Sequence, residues 1–238
     1  MFDFTDRVAL VTGAGGNLGR AVARAFYEAG ARVVLADRTT EDLPGIFPEL
    51  ETDPDRFLVH AVDLMQPESA QGLVGAALDR FGQIDAVANT VGGFRSGPAA
   101  GDMSLDVWDF LLNLNARTAL VLTQAVVPAM RSRGQGAIVH TAARAALSGS
   151  KNVAAYTASK SAVVRLTESM AAELRDEGIR INCVLPGTID TPENRAERPN
   201  ADFSKWVAPE AIADVFLFLC SDAARAIHGA AIPVYGRS

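Results

Sequence analysis

The short apolar run Val8-Ala-Leu-Val11 breaks into Thr12-Gly-Ala-Gly-Gly-Asn-Leu-Gly19, after which apolar residues recur at helical spacing from Arg20 to Ala29. A second apolar run, Arg32 to Asp37, completes a β-α-β unit of about thirty residues. No other stretch limits the fold so tightly. A strand that passes through a helix into a parallel neighbour must cross over right-handed and lie inside a covered sheet.

The same alternation runs on through the chain. Strands are expected near Phe57–Asp63, Ile84–Asn89, Ala137–Thr141, Ile179–Leu185 and Ala231–Val234, and helices near Pro67–Phe81, Ser104–Arg133, Val153–Glu177 and Pro209–Leu219. Strands and helices taking turns over residues 1–238 predict a single α/β domain: a doubly wound, mostly parallel sheet of about seven strands with helices on both faces. One segment lacks periodicity. It runs from Thr188 to about Ala208, is polar, carries Pro192 and Pro199, and follows a strand's carboxyl end, where ligands bind in such sheets. It reads as a substrate lid.

Composition narrows the function. A formal net charge of -6 gives no electrostatic footprint for nucleic acid or an anionic membrane surface, so neither is an expected partner. No run approaches the eighteen apolar residues of a membrane span, and the N-terminus has no apolar signal core. Cys183 and Cys220 lie in apolar surroundings and read as buried thiols; His60, His140 and His228 have no ligand spacing, so no metal is expected. A cytoplasmic protein acting on a small molecule is the default.

The glycines of the first turn suit a dinucleotide. Gly13, Gly15 and Gly19 permit tight turning and close approach of backbone to a pyrophosphate at a helix N-terminus, with Asn17 and Leu18 beside them. Asp37 ends the second strand, eighteen residues beyond Gly19, where a carboxylate can accept both ribose hydroxyls. It would repel a 2'-phosphate, which favours NAD(H), while Arg38 beside it keeps NADP(H) open. Further on, Tyr156 and Lys160 project from one helix face, a turn apart, where an ammonium group favours a phenolate and lowers its pKa.

Taken together, Thr12-Gly13...Gly19, Asp63, Asn89-Thr-Val-Gly92, Asn115, Tyr156-x-x-x-Lys160 and Pro186-Gly187 stand in the order found in the short-chain dehydrogenase/reductase family, which the chain resembles over nearly its whole length. The resemblance implies a Rossmann fold, a nicotinamide cofactor and a tetrad of asparagine, serine, tyrosine and lysine. On that likeness Asn115 would steady the active-site helix and hold a water of the proton relay, Tyr156 would be the acid/base, and Lys160 would bind the nicotinamide ribose. Asp63 would face the adenine, Asn89 and Gly92 would line the cofactor cleft, and Ile189 and Thr191, after Pro186-Gly187, would contact the carboxamide.

Three positions depart from the family pattern. Asn17 stands for the middle glycine of the loop, tolerable because asparagine accepts left-handed backbone angles. Asn89-Thr-Val-Gly replaces Asn-Asn-Ala-Gly. Most consequential, Ala143 stands thirteen residues before Tyr156, where the family has its catalytic serine. A methyl cannot hydrogen-bond a carbonyl or oxyanion, which costs a carbonyl reductase about 1–3 kcal/mol unless Thr141 or Ser148 substitutes.

Dihydropteridine reductases share both the missing serine and a segment similar to Leu185-Pro-Gly-Thr-Ile-Asp-Thr-Pro-Glu-Asn-Arg195 continuing to Trp206. A quinonoid dihydropterin accepts hydride on a conjugated ring and needs less polarisation of an oxygen. Substrate-side candidates follow. Phe94 would stack on a planar ring or cap the core; Arg144 would meet a polar substrate edge or solvent. Asn194 and Arg195 face substrate or solvent, and Trp206 anchors the lid. The expected function is NAD(H)-dependent hydride transfer to or from a small planar substrate. Alternatives are a ketone or secondary alcohol as substrate, or a non-enzymatic dinucleotide sensor. Apolar residues over more than one face of the Ser104–Arg133 and Val153–Glu177 helices predict a homo-oligomer, dimer or tetramer.

Overall fold

The computed structural model of the chain describes residues 2–237. Seven strands, β1 (Val8–Thr12), β2 (Arg32–Asp37), β3 (Phe57–Ala61), β4 (Ala86–Asn89), β5 (Gly136–Thr141), β6 (Ile179–Pro186) and β7 (Ala231–Val234), form one parallel sheet in the order β3-β2-β1-β4-β5-β6-β7. Strand succession runs one way from β1 to β3 and the other way from β4 onward. A crevice therefore opens at the carboxyl ends of β1 and β4.

Among the helices, α1 (Asn17–Glu28), α2 (Leu43–Ile46), α3 (Glu49–Thr52) and α4 (Pro67–Phe81) precede β4 and β5, and α5 (Leu105–Leu112) and α6 (Thr118–Arg133) fall between those two strands. They are followed by α7 (Ala154–Leu174), α8 (Pro192–Glu197) and α9 (Pro209–Cys220). On one face α1 and α9 pack with Phe4, Phe26, Phe47 and Phe216 fully or almost fully buried; on the other, α4, α6 and α7 bring Leu73, Leu122, Val126 and Met170 onto the sheet. Every residue of β1 is buried, as expected for a central strand covered on both faces.

Most expected elements form, and the differences have local causes. The strand begun at Phe57 ends at Ala61, so Asp63 lies in the following turn, its Oδ1 accepting from the Met65 amide at 2.9 Å. Helix α1 starts at Asn17, not Arg20, so Asn17 sits at helical angles and its tolerance of left-handed ones plays no part. The helix expected from Ser104 to Arg133 is interrupted by a π turn at Asn113–Arg117. By length and composition Leu105–Arg133 could cross a membrane, yet α6 lies on the sheet with Leu122 and Val126 fully buried.

The aperiodic segment after β6 is ordered by its own side chains. Arg195 grips Asp190 through two hydrogen bonds of 2.6 and 2.7 Å and lies 4.8 Å from the Phe203 ring, which packs at 4.8 Å against Trp206. A bridge between Ile189 and Val207 closes the segment's base. It forms a folded flap beside the crevice.

Candidate active site

The turn after β1 is shaped by what cannot be there. Gly13 has a φ of +71°, and a Cβ on Gly19 would collide with the Gly13 carbonyl, so α1 approaches the turn only because residue 19 has no side chain. Gly15 donates its amide to Asp37 Oδ2 at 2.8 Å, and Arg38 donates to Oδ1 at 2.7 Å, which fixes the carboxylate at the end of β2 beside the turn. The Arg38 side chain is exposed. With amides at the start of α1 and an acid at the ribose distance in sequence, the cradle fits a dinucleotide.

The floor is a buried polar chain across three strands. Thr12 Oγ1 donates to Asn89 Oδ1 at 2.9 Å, Asn89 Nδ2 meets His140 Nδ1 at 3.1 Å, and His140 Nε2 meets Thr123 Oγ1 at 3.1 Å. Because the Thr123 hydroxyl donates onward to the Ala119 carbonyl at 2.9 Å, it accepts from His140, which is therefore neutral with its proton on Nε2. Burial, with the nearby Lys160 charge second, pulls this imidazole down to about 4. Thr141, in turn, donates its hydroxyl to the Asn89 carbonyl at 2.8 Å.

Above this floor a cleft of about 490 Å³ is lined by Gly92, Phe94, Ala143, Tyr156 and Lys160, among others. The Lys160 ammonium is buried and donates to the Thr141 carbonyl at 2.8 Å. Asn115, in the π turn, accepts from the Gly93 amide at 2.9 Å and donates to the Gly93 carbonyl at 3.1 Å and to Ser159 Oγ at 2.9 Å; Ser159 itself donates to the Tyr156 carbonyl at 2.8 Å. The side chain expected to hold a water braces the β4 loop against α7. A Cβ on Gly92 would stand 2.8 Å from both Asn115 Oδ1 and Lys160 Nζ, so this glycine leaves both polar groups room beside the β4 loop.

Tyr156 is half-buried and meets the Phe94 ring edge to face, with centroids 4.9 Å apart. The sequence predicts a phenol lowered by Lys160, but the structure gives the opposite direction. Burial pushes Tyr156 up to about 12, and burial pulls Lys160 down to about 8. Desolvation disfavours the charged form of each group, which raises a phenol and lowers an ammonium.

Of the cofactor candidates, Leu18, Gly92, Lys160, Pro186, Gly187 and Ile189 line this cleft, whereas Gly13, Gly15, Asn17, Gly19 and Asp37 form the adjoining turn and strand end. Asp63 lies past β3, and Asn89 is in the floor. Thr191 caps α8, accepting from the Asn194 amide at 3.2 Å.

Among substrate candidates, Phe94 is half exposed on the cleft wall, which excludes the core-cap reading. Arg144 lines the cleft with its guanidinium 5.3 Å from the Tyr235 ring. Asn194 also lines it, but its side-chain amide is engaged by the Ile189 carbonyl at 2.8 Å. Trp206 is the correction: it is outside the cleft lining, packed on Phe203.

Ala143 reaches the cleft and is almost wholly buried. Thr141 cannot stand in for the missing serine while its hydroxyl serves Asn89; Ser148, with Ser150, lies on the cleft lining. Sequence reasoning missed His140, Ser159 and Glu193, and placed Thr12 in the motif without its partner Asn89. Only Ser159 carried a signal, since it sits within one turn of Tyr156. No group of three metal-ligating side chains forms among the described residues.

A model of the short chain dehydrogenase family matches residues 7–202. D-threitol dehydrogenase of Mycolicibacterium smegmatis is 34% identical over 246 residues, covering 99% of this chain and 94% of its own. 3beta-hydroxysteroid dehydrogenase 2 of Eggerthella lenta is 32% identical over 243 residues, with 97% and 94% covered. The crystal structure of levodione reductase superposes with a TM-score of 0.89 at 32% identity, covering 98% of this chain and 97% of its own.

Proposed function

The chain belongs to the short-chain dehydrogenase family, and we propose that it is an NAD(H)-dependent oxidoreductase that passes hydride to or from a small planar substrate, a quinonoid dihydropterin in its reductive direction. The observation that carries this reading is Ala143. A methyl stands at the cleft where the family pattern has a hydroxyl, in a lining that also includes the paired rings of Phe94 and Tyr156. A ketone gains from a donor at that point; a conjugated ring that takes hydride directly depends on it less.

A bound nicotinamide supplies the hydride chemistry. Asp37 and the amides opening α1 would hold its dinucleotide, and the carboxylate favours a free 2'-hydroxyl over a phosphate. Tyr156 is neutral at pH 7, with its pKa raised to about 12, and so stands ready to give its Oη proton as the substrate is reduced. Lys160, one turn away and anchored on the Thr141 carbonyl, would bind the nicotinamide ribose. Asn115 holds the Gly93 loop and α7 together, which keeps Tyr156 over the cleft.

The runner-up reading, a ketone or secondary alcohol as substrate, is favoured by the names of the relatives, which include a threitol and a steroid dehydrogenase. The same proposal assigns the chain to the cytoplasm, which suits its two buried free thiols, Cys183 and Cys220, and makes it a dimer or tetramer. One assay separates the readings: NADH and NADPH oxidation with quinonoid dihydropterin, quinones and simple ketones as acceptors. Turnover with NADH and dihydropterin well above that with ketones is the expected result. Preference for a simple ketone selects the runner-up, and cofactor binding without any turnover selects a dinucleotide sensor.

A further inference from the structure

Asn17 and Glu193 are 176 positions apart, and their side chains meet: Asn17 Nδ2 donates to Glu193 Oε2 at 2.7 Å. Asn17 opens α1 at the glycine turn, and Glu193 stands in the first turn of α8 inside the flap. The contact joins the two segments assigned to the cofactor. The nearby backbone amide of Glu193 and the Thr191 hydroxyl, followed by Asn17 and the Arg20 charge, hold the Glu193 carboxyl below the usual carboxylate range. Arg20 reaches back over the turn to the Gly15 carbonyl at 2.9 Å.

We infer that Glu193 is a positioning residue for cofactor binding, a latch that joins the flap to the glycine turn by holding Asn17. The middle glycine of the family pattern could not make this bond, so the departure at position 17 and the acid at position 193 explain each other. A free carboxylate beside an incoming pyrophosphate would repel it. Here the Asn17 amide occupies the carboxylate, and Asn17 is the first residue of α1, the helix end where negative charge is stabilised. Closing the latch keeps Thr191 and the flap over the crevice, and opening it is required before a dinucleotide leaves.

This inference rests on the proposed cofactor-dependent function, so its test reads binding and release without turnover. NADH dissociation is followed by stopped-flow fluorescence for the full chain and for Asn17→Ala, Glu193→Ala, Glu193→Gln and the Asn17→Ala/Glu193→Ala pair. Breaking one charge-assisted hydrogen bond should speed release about fivefold in each alanine variant. The pair should release no faster than either single variant, Glu193→Gln should stay within about twofold of the unaltered chain, and hydrogen exchange over 192–197 should rise with NADH bound. Unchanged release in both single variants, or effects that multiply in the pair, overturns the latch. A chain that binds no NADH at all overturns the proposed function and the latch with it; one that binds NADH but ignores these substitutions overturns the latch alone.

Discussion

Tyr156 and Ala143 divide the chemistry between them. With burial raising the phenol to about 12, the tyrosine is a proton donor throughout the neutral range, and no other hydroxyl of the family's tetrad stands beside it. Tyr156→Phe is expected to lower turnover at least about a thousandfold while NADH still binds, as fluorescence titration would report. Ala143→Ser restores the missing donor. It should raise kcat/KM for simple ketones about tenfold or more and change the rate with a quinonoid ring far less, so the ratio of the two rates is the measurement. The cluster of Tyr156, Lys160, Asn115 and Gly92 was legible in the sequence because motif order along an α/β chain maps onto strand ends. Glu193 and His140 were not. A glutamate on a polar segment looks like any solvated charge, and a histidine inside an apolar strand looks like a core residue until its partners from two other elements, Asn89 and Thr123, are known.

Elements meet in this molecule where side chains are absent. The approach of α1 to β1 depends on Gly19, whose added methyl would drive into the Gly13 carbonyl. Gly19→Ala should destabilise the fold by about 1–3 kcal/mol and abolish measurable NADH binding, read by denaturant midpoint and by titration. Strands and long helices were readable from periodicity. The π turn was not, because Leu111, Leu112, Leu114 and Ala116 keep an apolar helical pattern straight through it, and one extra residue per turn leaves no mark in composition. The flap shows the converse. Its lack of period was plain, but its order comes from Asp190–Arg195 and Phe203–Trp206, pairs with no regular spacing.

For the whole molecule, the buried Thr12–Asn89–His140–Thr123 chain fastens β1, β4, β5 and α6 together, and its histidine sets an acid limit. The folded pKa of about 4 lies below the 6.5 of a free imidazole, so the unfolded chain binds the proton first. The contribution is complete above about pH 6.5 and drains away as pH falls toward 4, amounting to about 3 kcal/mol. Urea midpoints measured from pH 7.5 to 4.5 should fall accordingly, and His140→Gln should flatten that slope. Association is the other whole-molecule expectation. Leu105 and Phe110 stand exposed on α5, and a dimer or tetramer covering them would be reduced in mass by Leu105→Glu with Phe110→Glu, as light scattering would register.

The interruption at Asn113–Arg117 also works as a gear offset. A π turn inserts one residue's rotation, about 100°, so the helical rod changes phase partway along its length. Its first half turns Leu105 and Phe110 outward, and its second half turns Leu122 and Val126 into the sheet. Removing a single residue from the turn would restore one phase throughout. Either the outward surface or the inward one would then have to rotate away, and Asn115 would leave the loop it holds.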